Sequence, residues 1–222
     1  MIPLLYQDNS LLICLKPPGI LSQEGPMENL PALLTSQLGG AIYPVHRLDR
    51  GVGGVMAYAR TKQAAAALSA SIGCGAFQKV YLCIVLGQPD QNEGVCRDLL
   101  LHDRTRNKSF VVKRMRGGVR EASLAYRVLA SREGLSLLRV QLHTGRTHQI
   151  RVQLSSRGIP LLGDSKYGGG SCQTALWSAA ISFPHPEHGE MSSFQSPPSG
   201  GAWEMFCDEI AVLFQDAICQ NL

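Results

Sequence analysis

The sequence predicts an α+β fold in a single domain spanning residues 1–222. Three observations carry this. Apolar residues make up 45% of the 222 positions, enough for one sizeable core and too many for disorder. β-rich or alternating runs recur along the chain, while few stretches carry helical spacing. Strands and helices do not alternate in βα order, which argues against a doubly wound or barrel fold. No linker, composition break or solenoid-length repeat divides the chain.

Taken in order, Leu4 to Tyr6 and Leu11 to Leu15 read as short strands around the turn Gln7-Asp8-Asn9-Ser10. Lys16-Pro17-Pro18-Gly19 ends the second, because the prolines block further pairing and Gly19 permits a sharp turn. Pro31 to Leu38 predicts a short helix with Pro31 in its first turn. Thr61 is the expected N-cap of a helix to about Ile72, with Ala64, Ala65, Leu68 and Ile72 on one face, closed by Gly73 and Gly75. Phe77 to Leu86 is a strand that places Lys79 and Tyr81 on the same side. Val95 to Leu101 and Ser109 to Val112 are further strands joined by a basic turn. Glu121 to Leu129 and Leu135 to Leu142 form another pair, in which Leu138, Val140 and Leu142 share a face. A turn at His143 to Arg146 leads to Thr147 as N-cap of a helix over HQIRVQLSS, ended by Gly158. Ala175 to Phe183 predicts a strand, Pro184 to Gly201 a loop, Trp203 to Phe206 a last strand, and Asp208 to Ile218 a helix.

Composition excludes several classes. No run approaches the ~18 apolar residues of a membrane span, and the N-terminus lacks a basic leader and cleavage site. The seven cysteines are scattered and never form a Cys-x-x-Cys pair, which suits a reducing cytoplasm and opposes both a disulfide framework and a zinc site. His185, flanked by Pro184 and Pro186, and His188 have no third ligand nearby and read as loop residues. Net charge is +4, too mild to name a partner. Its distribution is more informative. Arg104, Arg106, Lys108, Lys113, Arg114, Arg116 and Arg120 fall in one stretch that contains no acid. Such a stretch is either a solvated hairpin arm or an arm that tracks phosphates.

Chemistry concentrates in two further places. Residues 43–60, YPVHRLDRGVGGVMAYAR, put His46, Arg47, Asp49 and Arg50 on a loop before a glycine cluster and an apolar strand. Positive neighbours keep Asp49 ionised, as suits a nucleophile, a general base or a structural ion pair. In GRTHQIR, a glycine turn opens a helix whose free N–H groups favour an anion. Arg146 lies in that turn with His148 close behind. Arg151, one turn into the helix, is placed to hold a carboxylate with both prongs of its fork.

Together these segments resemble the RluA-type RNA pseudouridine synthase family. The resemblance lies in PVHRLDRGVGGVMAYART, FQKVYLCIVLG, HTGRTHQIRVQLSSRGIPLLGDSKYG and AAISFPHP, in that order, with the opening LLYQDNSLLICLKPPGI matching the family's first hairpin. The pairing of His-Arg-Leu-Asp with Gly-Arg-x-His-Gln-Ile-Arg favours this branch over small-subunit-type synthases. The resemblance implies a mixed, largely antiparallel sheet flanked by helices. It implies Asp49 as catalytic aspartate, Tyr81 stacked on the target uracil by its C5, and Arg151 paired with Asp49. It implies that Arg47 or His46 displaces the base. RNA contacts are expected from His46, Arg47, Arg50, Arg146, His148, Arg104, Arg106, Lys113 and Arg114. Cutting the C1′–N1 bond and rejoining through C5 needs no energy input or redox change, so no cofactor is implied and no metal is expected. The expected partner is a ribosomal or transfer RNA, met in the cytoplasm by a monomer.

Two departures stand out. Where the family commonly continues Asp-Arg-x-Thr-Ser-Gly, this chain has Asp49-Arg50-Gly51-Val52-Gly53-Gly54. Two loop hydroxyls are missing, which leaves a second reading: an RNA-binding protein on the same fold with impaired catalysis. The small N-terminal RNA-binding domain of many relatives is also expected to be absent, since the first hairpin begins at residue 3.

Overall fold

The computed structural model describes residues 1–215. In chain order its elements are β1 (Leu4–Gln7), β2 (Leu11–Lys16), α1 (Leu30–Leu38), β3 (Tyr43–Pro44), β4 (Gly53–Ala59), α2 (Lys62–Gly73), β5 (Gln78–Leu86), β6 (Glu93–Asp103), β7 (Lys108–Val112), β8 (Val119–Arg132), β9 (Leu135–Leu142), α3 (Gln149–Ser155), β10 (Leu176–Pro184), β11 (Met191–Gln195), a 3-10 turn (Gly201–Phe206) and α4 (Cys207–Gln215). They fall into two compact units. The first comprises Met1–Lys79, Trp177–Pro198 and the chain from Ile210; the second comprises Val80–Leu176 and Ser199–Glu209.

In the first unit β2 lies between β1 and β4, antiparallel to both. β10 runs parallel to β4, with Trp177 opposite Gly53 and Ser178 opposite Gly54, and β11 adds antiparallel to β10. Every residue of β4 is buried, as expected of a strand covered on both faces. Leu11, Ile13, Val55, Ala57, Phe77, Ile181 and Phe183 pack with Ala64 and Leu68 of α2 into one core. The first turn forms as its sequence requires: Asp8 Oδ1 accepts from the amides of Ser10 (2.8 Å) and Leu11 (2.7 Å). α2 starts where predicted, with the Thr61 hydroxyl accepting from the Ala64 amide at 3.1 Å. The second unit is an antiparallel array in the order β5-β9-β8-β6-β7, with α3 contributing Val152 to a small core with Leu100, Ala122 and Tyr167. The parallel β4–β10 pair among antiparallel ones makes the sheet structure mixed, as expected.

Three local expectations are corrected. Trp203 to Phe206 is a 3-10 turn, not a strand; Gly200 and Gly201, both at positive φ, start it, and Trp203 N–H bonds back to the Gly200 carbonyl. The stretch after Pro184 holds strand β11, hidden by its serine-rich composition MSSFQ. His185 lies in the loop after β10, as expected, and is buried there at 4% exposure, its Nε2 meeting Asp8 Oδ2 at 2.9 Å. Thr147 does not cap α3. His148 occupies the N-cap position at φ 55° and gives no side-chain cap bond. The Gln149 side chain reaches back instead, its Oε1 accepting from the Arg146 amide and the Thr144 hydroxyl. The helix predicted to Ile218 is seen through Gln215; its last residues, and Cys219, lie outside the described residues.

Candidate active site

Asp49 sits half-buried on an irregular loop between β3 and β4, in the first unit. Neither helix nor strand bonds hold this loop, so side chains and turns must do so. They come mainly from residues 16–22. Lys16 is fully buried, and its ammonium donates to the carbonyls of Pro17 (3.0 Å), Arg50 (3.1 Å) and Val52 (2.7 Å). Burial lowers its pKa to about 8, while the Asp49 charge pulls it back up. Gly19 N–H donates to the Arg50 carbonyl, and Arg50 Nε returns a bond to the Gly19 carbonyl, both at 2.8 Å. Ser22 Oγ donates to the Leu48 carbonyl at 2.8 Å and accepts from the Leu48 amide at 3.1 Å. Val52 N–H closes a turn onto the Asp49 carbonyl at 3.0 Å.

His46 and Arg47 part company. His46 is 8% exposed, and its Nε2 accepts from the Ala57 amide at 3.0 Å, which puts its proton on Nδ1. Burial, with a smaller push from Lys79, lowers its pKa to about 3, so it is neutral at any working pH. It packs 5.3 Å from the Phe77 ring and braces the loop on β4. Arg47 is exposed, as is Arg50. The missing hydroxyls also have a local cause. A Cβ at Gly53 would fall on the Trp177 indole, and Gly54, at φ 120°, lies against the Ser178 backbone. Gly53 gives its side-chain space to Trp177.

Tyr81 and Arg151 belong to the second unit. Tyr81 is 5% exposed on β5, opposite Val140 of β9. Arg151 grips Asp164 with two prongs, Nε to Oδ2 at 2.6 Å and Nη2 to Oδ1 at 2.8 Å; the Asp164 side chain has no exposure. The guanidinium also lies 5.1 Å from the centre of the Tyr167 ring. Asp164 Oδ1 further accepts from the Lys166 and Tyr167 amides. The plane of Arg151 is therefore held by a buried carboxylate that sequence reasoning passed over. Tyr167 extends the network. Its Oη meets His148 Nδ1 at 2.9 Å and accepts from the Ser109 amide at 2.7 Å. The turn before α3 offers less to an anion than expected, because the Gln149 side chain already takes the Arg146 amide and Arg146 Nε bonds the Glu121 carbonyl.

The basic stretch is one cluster in sequence and two in space. Arg104 and Arg106 lie in the β6–β7 turn; Lys113, Arg114 and Arg116 lie in the β7–β8 turn, all exposed. The five residues of β7 separate them by roughly 15 Å. Lys166 Nζ ties the first turn down through the Asn107 carbonyl at 2.7 Å.

Lys16, Ser22, Asp164, Tyr167 and Trp177 are thus the residues that sequence reasoning missed. Lys16 left a signal, a lysine ending an apolar strand; Ser22 left none.

The description RNA pseudouridylate synthase matches residues 10–156. The chain is 34% identical over 208 residues to the RNA pseudouridine synthase YhcT of Bacillus subtilis, covering 87% of this chain and 68% of that protein. It is 32% identical over 217 residues to ribosomal large subunit pseudouridine synthase D of Zymomonas mobilis, covering 87% and 68%. Among solved structures, human RNA pseudouridylate synthase domain containing 4 shares the fold with a TM-score of 0.76 at 23% identity, covering 96% of this chain and 93% of that one. The chain belongs to the RNA pseudouridylate synthase family, in its RluA-type branch. It is an RNA pseudouridine synthase, an isomerase that acts on RNA.

Proposed function

We propose that this protein isomerises particular uridines in structured ribosomal or transfer RNA, with Asp49 as the catalytic aspartate. What supports Asp49 most is the loop that carries it: the residues on both sides, Leu48 and Arg50, are held by buried or reciprocal bonds. A carboxylate that acts at a ribose carbon must be ionised and held in place. In the proposed reaction the C1′–N1 bond breaks, the uracil turns, and C1′ rejoins through C5. C5 loses a proton and N1 gains one, so the product has the mass of the substrate. Tyr81 stacks on the uracil beside C5, and Arg151 pairs with Asp49, its fork already oriented by Asp164. The nucleotide must leave its stack to react. Of the two candidates for displacing it, Arg47 is the exposed one and takes that role, while His46 braces the loop. Arg50, Arg146 and His148 contact the RNA, and the two basic turns take phosphates on either side of β7. We further propose that residues 1–222 form one catalytic domain that works as a monomer in the cytoplasm. The six described cysteines are unpaired, as suits that compartment, and no described helix is long and apolar enough to cross a membrane.

The test uses RNA from cells lacking the protein, grown with uridine tritiated at C5. Wild type should release tritium, and Asp49→Asn should release none while binding RNA within about tenfold of wild type, roughly 1.4 kcal/mol. Full turnover by Asp49→Asn would make Asp49 a structural ion pair. Pseudouridine mapping in cells with and without the protein identifies the RNA and the position.

A further inference from the structure

The loop carrying Asp49 is held from one side by a residue with no part in the chemistry above. Ser22 is 5% exposed, and Leu48 is 6% exposed. The Ser22 hydroxyl donates to the Leu48 carbonyl and accepts from the Leu48 amide, across 26 positions of sequence. Both bonds are buried. The Leu48 carbonyl belongs to the peptide joining Leu48 to Asp49, so the hydroxyl sets the plane from which the Asp49 Cα departs. Ser22 is itself anchored, because the buried Tyr58 hydroxyl donates to its carbonyl at 2.7 Å. On the far side of Asp49, Gly19 and Lys16 hold the Arg50 carbonyl. Asp49 and Arg50 are thereby the two residues between the clamped Leu48–Asp49 and Arg50–Gly51 peptides.

We propose that Ser22 is a positioning residue for Asp49, its hydroxyl orienting the Leu48–Asp49 peptide so that the carboxylate meets the ribose in reactive geometry. This rests on Asp49 being the catalytic aspartate. A misplacement of about 1 Å can cost on the order of a hundredfold in rate. Binding depends on other residues and should hardly change.

The experiment is single-turnover tritium release with enzyme in excess over the same C5-labelled RNA, well below every melting point. Ser22→Ala should slow the rate at saturating enzyme by about ten- to a hundredfold, with the half-saturating enzyme concentration unchanged within about threefold. Ser22→Thr keeps the hydroxyl and should restore the rate to within about threefold. Ser178→Ala is the control. It removes another buried hydroxyl of the same unit, which donates to the Val55 carbonyl at 2.9 Å, and should lower the melting point while leaving the rate intact. Should Ser22→Ala not fold, Ser22→Cys replaces it: the weaker S–H donor should slow the rate at least about fivefold. A wild-type rate in folded Ser22→Ala or Ser22→Cys overturns the proposal. So does a folded Ser22→Thr as slow as Ala, or equal slowing by Ser178→Ala. Asp49→Asn runs alongside. If it keeps turnover, the reading of Asp49 fails; if it is dead while Ser22→Ala is fast, only the role of Ser22 falls.

Discussion

Restoring the family's usual serine at Gly53 should harm this protein. The first atom of any side chain there falls on the Trp177 six-membered ring and lies 3.1 Å from the Lys16 carbonyl. The indole cannot simply swing away, because its Nε1 donates to the Ser196 carbonyl at 2.8 Å, and Trp177 is paired opposite Gly53. Overpacking of this kind costs about 1–3 kcal/mol. For a chain of this length each kcal/mol moves the melting point by about 2–4 °C, so Gly53→Ser and Gly53→Ala should each melt about 2–12 °C lower. Both should lose the same amount, since the clash begins at Cβ. Trp177→Ala removes the obstacle, and in that background Gly53→Ala should cost less than about 0.5 kcal/mol. The cycle formed by the two substitutions should show a coupling of about 1–3 kcal/mol. Gly54→Ala should be worse than Gly53→Ala, because φ is 120° and the new atom meets the Ser178 backbone, which has no room to give. Thermal melts and urea titrations of wild type and the five variants measure all of this. Gly53→Ala within about 0.5 kcal/mol of wild type, or a coupling near zero, would refute the idea that the glycine exists to seat the indole.

Three further outcomes are expected. Replacing Arg104 and Arg106, or Lys113 and Arg114, with Ala should each lower the log–log salt slope of RNA binding by about 0.7–0.9 per lost phosphate contact. The two effects should add, because β7 holds the turns apart; an unchanged slope would remove that turn from the RNA interface. Lys16 should separate stability from activity at alkaline pH. Between about 8 and 10.5 the unfolded chain keeps a lysine proton that the folded chain has lost, so stability should climb with pH in that window. Activity should fall there, since the neutral amine has fewer protons for the carbonyls holding the loop. Lys16→Met should abolish the climb, as read from melting points between pH 7 and 10. Asp8 gives the same sense at the acid end, with stability climbing as pH rises between about 2 and 3.8. Burial pushes its carboxyl up, but bonds from Ser10, Tyr6, Leu11 and His185 outweigh this and hold it at about 2. Its contribution is present above the unfolded value of 3.8 and lost as pH falls through about 2; Asp8→Asn should flatten stability across that interval in acid unfolding.

How much could be read without coordinates follows from the range of each interaction. Local signals worked. Asp8 at its turn and Thr61 at its cap bond within three residues, and the alternation of Leu135–Leu142 matched its strand to the residue. What failed or stayed silent depended on partners far away in sequence. The exception is Trp203, where the Gly200-Gly201 pair that starts the 3-10 turn is a local signal the strand reading passed over. A serine 26 residues before Leu48 carries no periodic signature, and neither does an aspartate 13 residues past Arg151. The basic stretch shows the same limit from another side: composition found the charge, but only the register of β6 on β7 shows that it divides between two turns.

The departure at Val52 and Gly53 then takes on a different meaning from the one the sequence suggested. Missing hydroxyls in a loop imply a freer loop if the loop must hold itself. Here its carbonyls at positions 48, 50 and 52 are taken by Ser22, Gly19 and Lys16, all from the segment that follows β2 or ends it. Val52 is buried and its amide closes the turn on Asp49, so the valine contributes packing where a threonine would offer a hydroxyl. Gly53 is occupied in effect by the indole of Trp177, and β10 is thereby locked in parallel register on β4. The restraint on Asp49 comes from outside the loop, so the altered residues are weak support for lost catalysis. The residues whose loss would loosen Asp49 are Lys16 and Ser22, and both are present.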